Sequence, residues 1–198
     1  KEAANMKLYL AGFPWEKFPW QKAIVHFTRV LGYVHIDHLD SARAELRIIN
    51  TIYDTLAAQK DSYKANQVKI QSKTAEAWIR LKEGKKDDAL KLMNIAADLE
   101  DKTEKSPVTP GEVLPAKELL GDMLLELNRP SEALEAYEDD LKKHPNRFNG
   151  LYGAGLSSAR LNNLEKAAYY FGQLTNIANS PNSSRPELEK ARLFLKKN

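Results

Sequence analysis

The residues most able to do chemistry lie in the stretch "HIDH", where His35, Asp37 and His38 bring two imidazoles and a carboxylate together. Histidines three apart can share a helical face, and imidazole plus carboxylate is a donor set suited to zinc. This defines one alternative for the chain: a metal-binding or hydrolytic enzyme fragment with its site at this cluster. No fourth protein ligand lies within sequence reach, so the favoured reading is a polar turn between two helices. A second pattern is the recurrence of Glu118, Asp122 and Glu126 at every fourth position. Such spacing could serve general acid and base work, but no nucleophile, oxyanion-hole signal or histidine accompanies it. The same ladder is also what a solvated helix face looks like. A third is "FPWEKFPW", which repeats Phe-Pro-Trp at 13–15 and 18–20. Tryptophans anchor many interfaces, whereas Gly12 and Pro19 frame this stretch as a packed junction between a helix ending at Gly12 and one starting near Pro19. His26 falls at a bulky core position, where a hydrogen-bonded histidine is expected. His144 falls in a last helical turn, where a cation suits the dipole. These patterns predict no catalytic residue, no metal and no cofactor.

Composition narrows the classes further. With 198 residues, 42% hydrophobic and 29% charged, the chain can bury a real core as one domain or a short repeat array. Zero cysteines remove disulfides, thiolate zinc sites and a cysteine nucleophile, and leave the compartment open between cytoplasm and periplasm for a soluble chain. The formal charge is +3, with bases interleaved among acids, as in Lys85-Lys86-Asp87-Asp88. A nucleic-acid partner, which needs basic residues gathered on one face, is therefore not expected. Membrane insertion is not expected either, since no apolar run approaches the roughly 20 residues of a spanning helix. The sequence begins at Lys1 rather than at a methionine, and its early stretch "KLYLAGFPWEKFPW" is apolar and aromatic. Residues 1–22 are accordingly expected to form an N-terminal helix and aromatic junction that continues a preceding region.

The elements that position these residues are legible around "RPSEALEAYEDDLKKHPNR". Ala133, Leu134, Ala136, Tyr137 and Leu141 fall at helical spacing between Pro130 and Pro145, with Asn128 expected as the N-cap. Upstream, Leu119, Leu120, Met123, Leu124 and Leu127 form the stripe of a second helix, so the unit is a helical hairpin. It recurs. Ala133-x3-Tyr137 is matched by Ala167-x3-Phe171, and Gly121 by Gly155, both 34 residues on. Ala89-x3-Met93 and Ala42-x3-Leu46 repeat the pattern at displacements of 44 and a further 47, as hairpins lengthened by insertions. One insertion, "LAAQKDSYKANQVK", predicts a prolonged helix, a break near Asp61-Ser62 and a new helix. The other, "DLEDKTEKSPVTPGEV", predicts a helix end followed by a Pro/Gly connection. At the C-terminus Ser184-Arg185-Pro186-Glu187 has the capping-box pattern, before a helix offering Leu188, Ala191 and Leu195 to the array.

Leu120-Gly121, Leu124, Ala133, Tyr137 and Pro145, echoed by Ala154-Gly155, Ala167 and Phe171, resemble the motif of the tetratricopeptide-repeat family. Ala77, Ala89 and Met93, then Tyr33, Ala42 and Leu46, carry it more faintly. In the last hairpin Ser158 stands where the family has an aromatic, and Asn179 where it has proline. The stretches "TPGEVLPAKELLGDMLLELNRPSEAL" and "PNRFNGLYGAG" are similar to the C-terminal part of bacterial tetratricopeptide proteins. The resemblance implies an all-α fold, a right-handed superhelix of stacked antiparallel helix pairs. About four repeats are implied across 23–179, near 23–60, 65–105, 112–145 and 147–179, with a capping helix over 183–198. It also implies a non-enzymatic scaffold that binds a protein or peptide on a concave face lined by the first helices of successive hairpins. On that alignment Phe27, Leu31, Trp78 and Lys82 line the earlier part of the groove. Glu118, Asp122, Glu126, Tyr152 and Arg160 line the later part, where acids replace the basic clamp of members that bind acidic tails. A basic or mixed-polarity segment is the ligand expected.

Overall fold

Amphipathic periodicity does produce helices throughout, in a computed structural model that describes residues 1–8, 12–104, 113–178 and 185–197. They are α1 (Pro19–Val34), α2 (Leu39–Ala58), α3 (Ser62–Lys82), α4 (Lys86–Asp101), α5 (Ala116–Glu126), α6 (Pro130–Lys143), α7 (Phe148–Arg160), α8 (Leu164–Ile177) and α9 (Pro186–Lys197). No strand occurs among the described residues, so the fold is all-α as expected. The chain divides into two compact units, Lys1–Ala116 and Lys117–Asn198.

In the first unit α1 pairs with α2 and α3 with α4, while α3 lies against both α1 and α2. A lone hairpin cannot cover its own apolar stripe, and this stacking covers it. The small residues Ala42, Ala75, Ala77 and Ala89 are fully buried and let the helices approach, with Trp78 and Met93 filling the space between. The break expected at Asp61-Ser62 is present: α2 runs to Ala58, and the Asp61 carboxylate caps α3 by accepting from the Lys64 N–H at 3.2 Å. The expected N-terminal helix is not formed over the described residues. Ala3–Asn5 make a short 3-10 turn, and residues 6–8 are not helical. The cause is a backbone contact with α1. A Cβ on Gly32 would lie 2.2 Å from the Ala4 nitrogen, and Arg29 donates from Nε to the Met6 carbonyl at 2.7 Å. Burial of the Ala4 backbone against Gly32 therefore fixes this segment across α1.

In the second unit α6, α7, α8 and α9 pack each on the next, and α9 also touches α7. Leu188 and Ala191 of α9 are buried, as a capping helix requires, whereas Ser184 of the expected capping box lies outside the described residues.

One local device closes the helix pairs of both units. Asp37, Gly84, Asn128 and Asn162 all have positive φ, between 57° and 79°. Each stands five residues before its buried alanine: Ala42, Ala89, Ala133 or Ala167. The next N–H reaches back six-to-one, from His38 to the Tyr33 carbonyl at 2.9 Å, Lys85 to Arg80 at 3.0 Å, Arg129 to Leu124 at 2.9 Å and Asn163 to Ser158 at 2.9 Å. These are left-handed C-terminal closures. Asn128 therefore ends α5 and does not cap α6, whose N-cap is Arg129; a residue already committed to the left-handed region cannot adopt the cap geometry. Lys60 takes the same conformation, φ 59°, between α2 and α3, and its side chain has no compensating asparagine-like turn chemistry.

Between the hairpins of the first unit, Glu83 collects three cations. It accepts from Lys85 Nζ at 2.8 Å, Arg43 Nη2 at 2.8 Å and Arg80 Nη1 at 3.1 Å. The Lys85 and Arg43 hydrogen bonds hold its carboxyl at about 2, well below the usual carboxylate range. Because the folded-state value is depressed, this cluster stabilises the fold above the ordinary glutamate pKa, and that contribution fades as pH falls toward 2. Comparing wild type with Glu83→Gln in denaturant titrations across the acid range should show a stability gap at neutral pH that closes on acidification. A gap independent of pH would contradict the ion-cluster account. In the same assay Lys60→Gly should raise stability by up to about 1 kcal/mol, the left-handed strain of lysine minus the entropy of glycine.

Candidate functional site

The α5–α6–α7 seam of the second unit is built around one ring. Tyr137 is fully buried, and a Cβ added to Gly121 or Gly153 would come within 2.6 Å or 2.2 Å of its Cζ. The tyrosine thus fills a slot that exists because α5 and α7 carry no side chain there. Phe171 repeats the arrangement against Gly155, whose Cβ would lie 2.6 Å from Cε1, so the 34-residue spacing in sequence is one contact made twice. Phe171 is further enclosed by Tyr152 and Phe194, with ring centroids 6.0 Å and 5.1 Å away. At its polar end Tyr137 donates to Asp122 Oδ1 at 2.5 Å. Burial first, and then the Asp122 charge, push the phenol far above its ordinary pKa, so it is a fixed neutral donor.

The acidic ladder does not stay together as a surface. Glu118 is completely buried and receives both Nε and Nη2 of Arg147, at 2.8 Å and 3.0 Å, with Asn149 at 3.4 Å. It is a structural carboxylate joining α5 to the start of α7, and the expectation that it faces a partner is corrected on that ground: a buried charge is held only by a complementary partner. Asp122 is half-buried under the Tyr137 hydroxyl, and Glu126 is exposed. Tyr152 is half-buried, and Arg160 is exposed with Nη1 donating to the Leu125 carbonyl at 2.9 Å. Four of the five residues expected on this stretch therefore keep some surface.

The four expected in the first unit fare differently. Phe27, Leu31 and Trp78 are 2%, 9% and 1% exposed, which places them in the core and not on a surface open to a partner; only Lys82 keeps partial exposure. α1 packs against α2, α3 and the Ala3–Asn5 turn, and α3 against α1, α2 and α4, so these apolar side chains are taken up inside the unit.

The histidines are each engaged separately. His35 caps α1, its Nδ1 lies 2.7 Å from the Leu31 carbonyl and its ring 5.0 Å from Trp78, while His38 stacks on Tyr33 at 6.4 Å. Among the described residues no group of three His, Cys, Asp or Glu is placed to hold a metal ion. His26 is buried and bonded through Nδ1 to Glu45, the packing role expected of it. His144 sits at the C-terminus of α6, 2.8 Å from Asp140 Oδ1. Asp140 is 1% exposed, and desolvation pushes its carboxyl above the ordinary range against the opposing pull of His144. Asp140, Arg147 and Gly153 carry structural roles that sequence reading missed. A signal was available for Arg147, a cation just before α7 in "PNRFNG", but its acid lies 29 residues earlier and nothing local points to it.

The glycine slot makes a direct prediction. Gly153→Ala should cost about 1–3 kcal/mol by overpacking the Tyr137 ring. Adding Tyr137→Leu should recover part of that loss, and strictly additive effects in a double-mutant cycle would refute the contact.

Two comparisons with known proteins bear on this geometry. No curated protein matches the chain. Residues 118–184 match the family model described as tetratricopeptide repeat, a segment that starts at the buried Glu118 and contains both glycine–aromatic contacts of the second unit. With its hairpins, its small-residue crossings and its two nested aromatics, the chain is over those residues similar to tetratricopeptide-repeat proteins.

Proposed function

We propose that this chain is a non-enzymatic protein-interaction module in which the surface shared by α5 and α7 receives an extended segment of a partner protein. Tetratricopeptide repeats generally mediate protein–protein interactions, and helical-repeat folds of this kind are typically scaffolds. The observation that carries the reading is the division of labour along these two helices. The residues that build the seam are sealed inside, while Asp122, Glu126, Tyr152 and Arg160 remain at the surface as a polar row with one aromatic. That mix suits a segment of basic or mixed polarity, since two acids and one base meet the ligand and electrostatic matching favours encounter. The enzyme alternative lacks a comparable constellation among the described residues, because His35 and His38 turn to separate aromatic neighbours. No helix among the described residues is long and apolar enough to cross a membrane, and the proposed site needs none.

The test reverses charge at an exposed position of the ladder. Glu126→Lys should change stability by no more than about 1 kcal/mol, the upper worth of an exposed ion pair. It should weaken capture of co-purifying partner roughly tenfold, with the wild-type interaction also weakening as salt rises. Glu118→Lys is the contrasting control, expected to unfold the second unit by stranding Arg147 beside a buried cation. Undiminished capture by Glu126→Lys would remove this face from consideration.

A further inference from the structure

The sequence holds one asparagine followed directly by glycine, Asn149-Gly150, and the structure sets it in the first turn of α7. Such a pair carries its own reactants. A backbone nitrogen can close a five-membered ring on the amide carbon of the preceding asparagine, and glycine hinders this attack least because it has no Cβ. Two features decide whether a helix prevents it: the hydrogen bond that holds the attacking N–H, and the exposure of the amide. Helix α7 begins at Phe148, so the Gly150 N–H precedes the bond that closes its first turn, from the Leu151 N–H to the Arg147 carbonyl at 3.0 Å. Asn149 is exposed, and its Nδ2 donates to Glu118 Oε1 only at 3.4 Å. Freeing the pair therefore takes fraying of one turn, and not unfolding of the unit.

We propose that Asn149 is a self-modification site, converted in the folded protein to aspartate or isoaspartate by its own chain and water. The Gly150 nitrogen, its proton taken by solvent base, forms a bond to Asn149 Cγ. The Cγ–Nδ2 bond breaks, and Nδ2 leaves as ammonia with a proton from water. Water then opens the cyclic imide at either carbonyl, so one water is consumed and one ammonia released, with nothing oxidised or reduced. The product matters because of what lies beside it. The amide that donated to Glu118 becomes a carboxylate, next to one that is completely buried and already takes both Nε and Nη2 of Arg147. Like charges repel more strongly the less water lies between them. The isoaspartate form also adds one backbone carbon to the first turn of α7. Both products act on the joint of α5 to α7, so the second unit loosens as the protein ages.

The experiment is timed incubation of the purified 198-residue chain at mildly alkaline pH, followed by peptide mass mapping, beside a urea-unfolded sample that reports the intrinsic reactivity of the pair. Position 149 of the folded chain is expected to gain the mass of an amide turned acid, and Gly150→Ala to slow that gain roughly tenfold. The aged protein and Asn149→Asp should share one defect, an unfolding equilibrium constant raised roughly fivefold over that of fresh protein. A folded chain still unmodified at 149 when the unfolded sample has reacted fully overturns the proposal. So does modified protein as stable as fresh. Should Gly150→Ala fail to fold, the comparison of folded with unfolded wild type decides alone.

Discussion

A helix of this kind can approach its neighbour only where one of the two gives up its side chain, and the second unit depends on that concession. Gly121 and Gly153 yield space to one ring, Tyr137, and the ring in turn sets how far apart α5, α6 and α7 can be. Everything polar nearby is arranged by the consequence. The hydroxyl of a buried tyrosine needs an acceptor, which Asp122 supplies, so an acid of the expected ladder is tied to the core by its proximity to the slot. Glu118, one turn earlier, is drawn deeper still and must be neutralised by Arg147.

Much of this was readable from residue types alone. The periodicity of apolar positions located the helices, and the alanine-to-aromatic spacing located the crossings, because both are local or follow a fixed repeat. The lengthened second helix and its break at Asp61 were equally visible, since a cap residue and a change of periodicity coincide there. The fate of the groove residues was not. Phe27, Leu31 and Trp78 look like any apolar first-helix residues, and only the packing of α1 and α3 inside the unit decides that they are core. Glu118 is harder again: its neighbours in sequence give it the pattern of a solvated face, and the arginine that buries it comes from the following hairpin. Sequence reading fails here for a physical reason. Alternation of charge reports what a helix could show to water, not which of its faces another helix will take.

The two units use the same principle with different materials. The second relies on glycine and large aromatics; the first relies on alanine, with Met93 and Trp78 as fillers, and adds an ion cluster on Glu83 where its hairpins meet. The family model's match to 118–184 falls on the stretch where small and aromatic residues follow the repeat most closely.

The left-handed closure shared by Asp37, Gly84, Asn128 and Asn162 has a kinetic meaning. Lys60 shows that the chain applies it between hairpins as well as within them, with the Asp61 N–H returning to the Leu56 carbonyl at 3.1 Å. Each helix end is thereby defined by residues only a few positions away, and each reversal brings together segments that are near neighbours in sequence. The native topology accordingly has low contact order, with little loop entropy to surrender before the first productive contacts form. Nucleation can begin at any well-closed pair and spread to the next, so folding in such an array resembles the growth of a one-dimensional chain of coupled elements more than the closure of a single core.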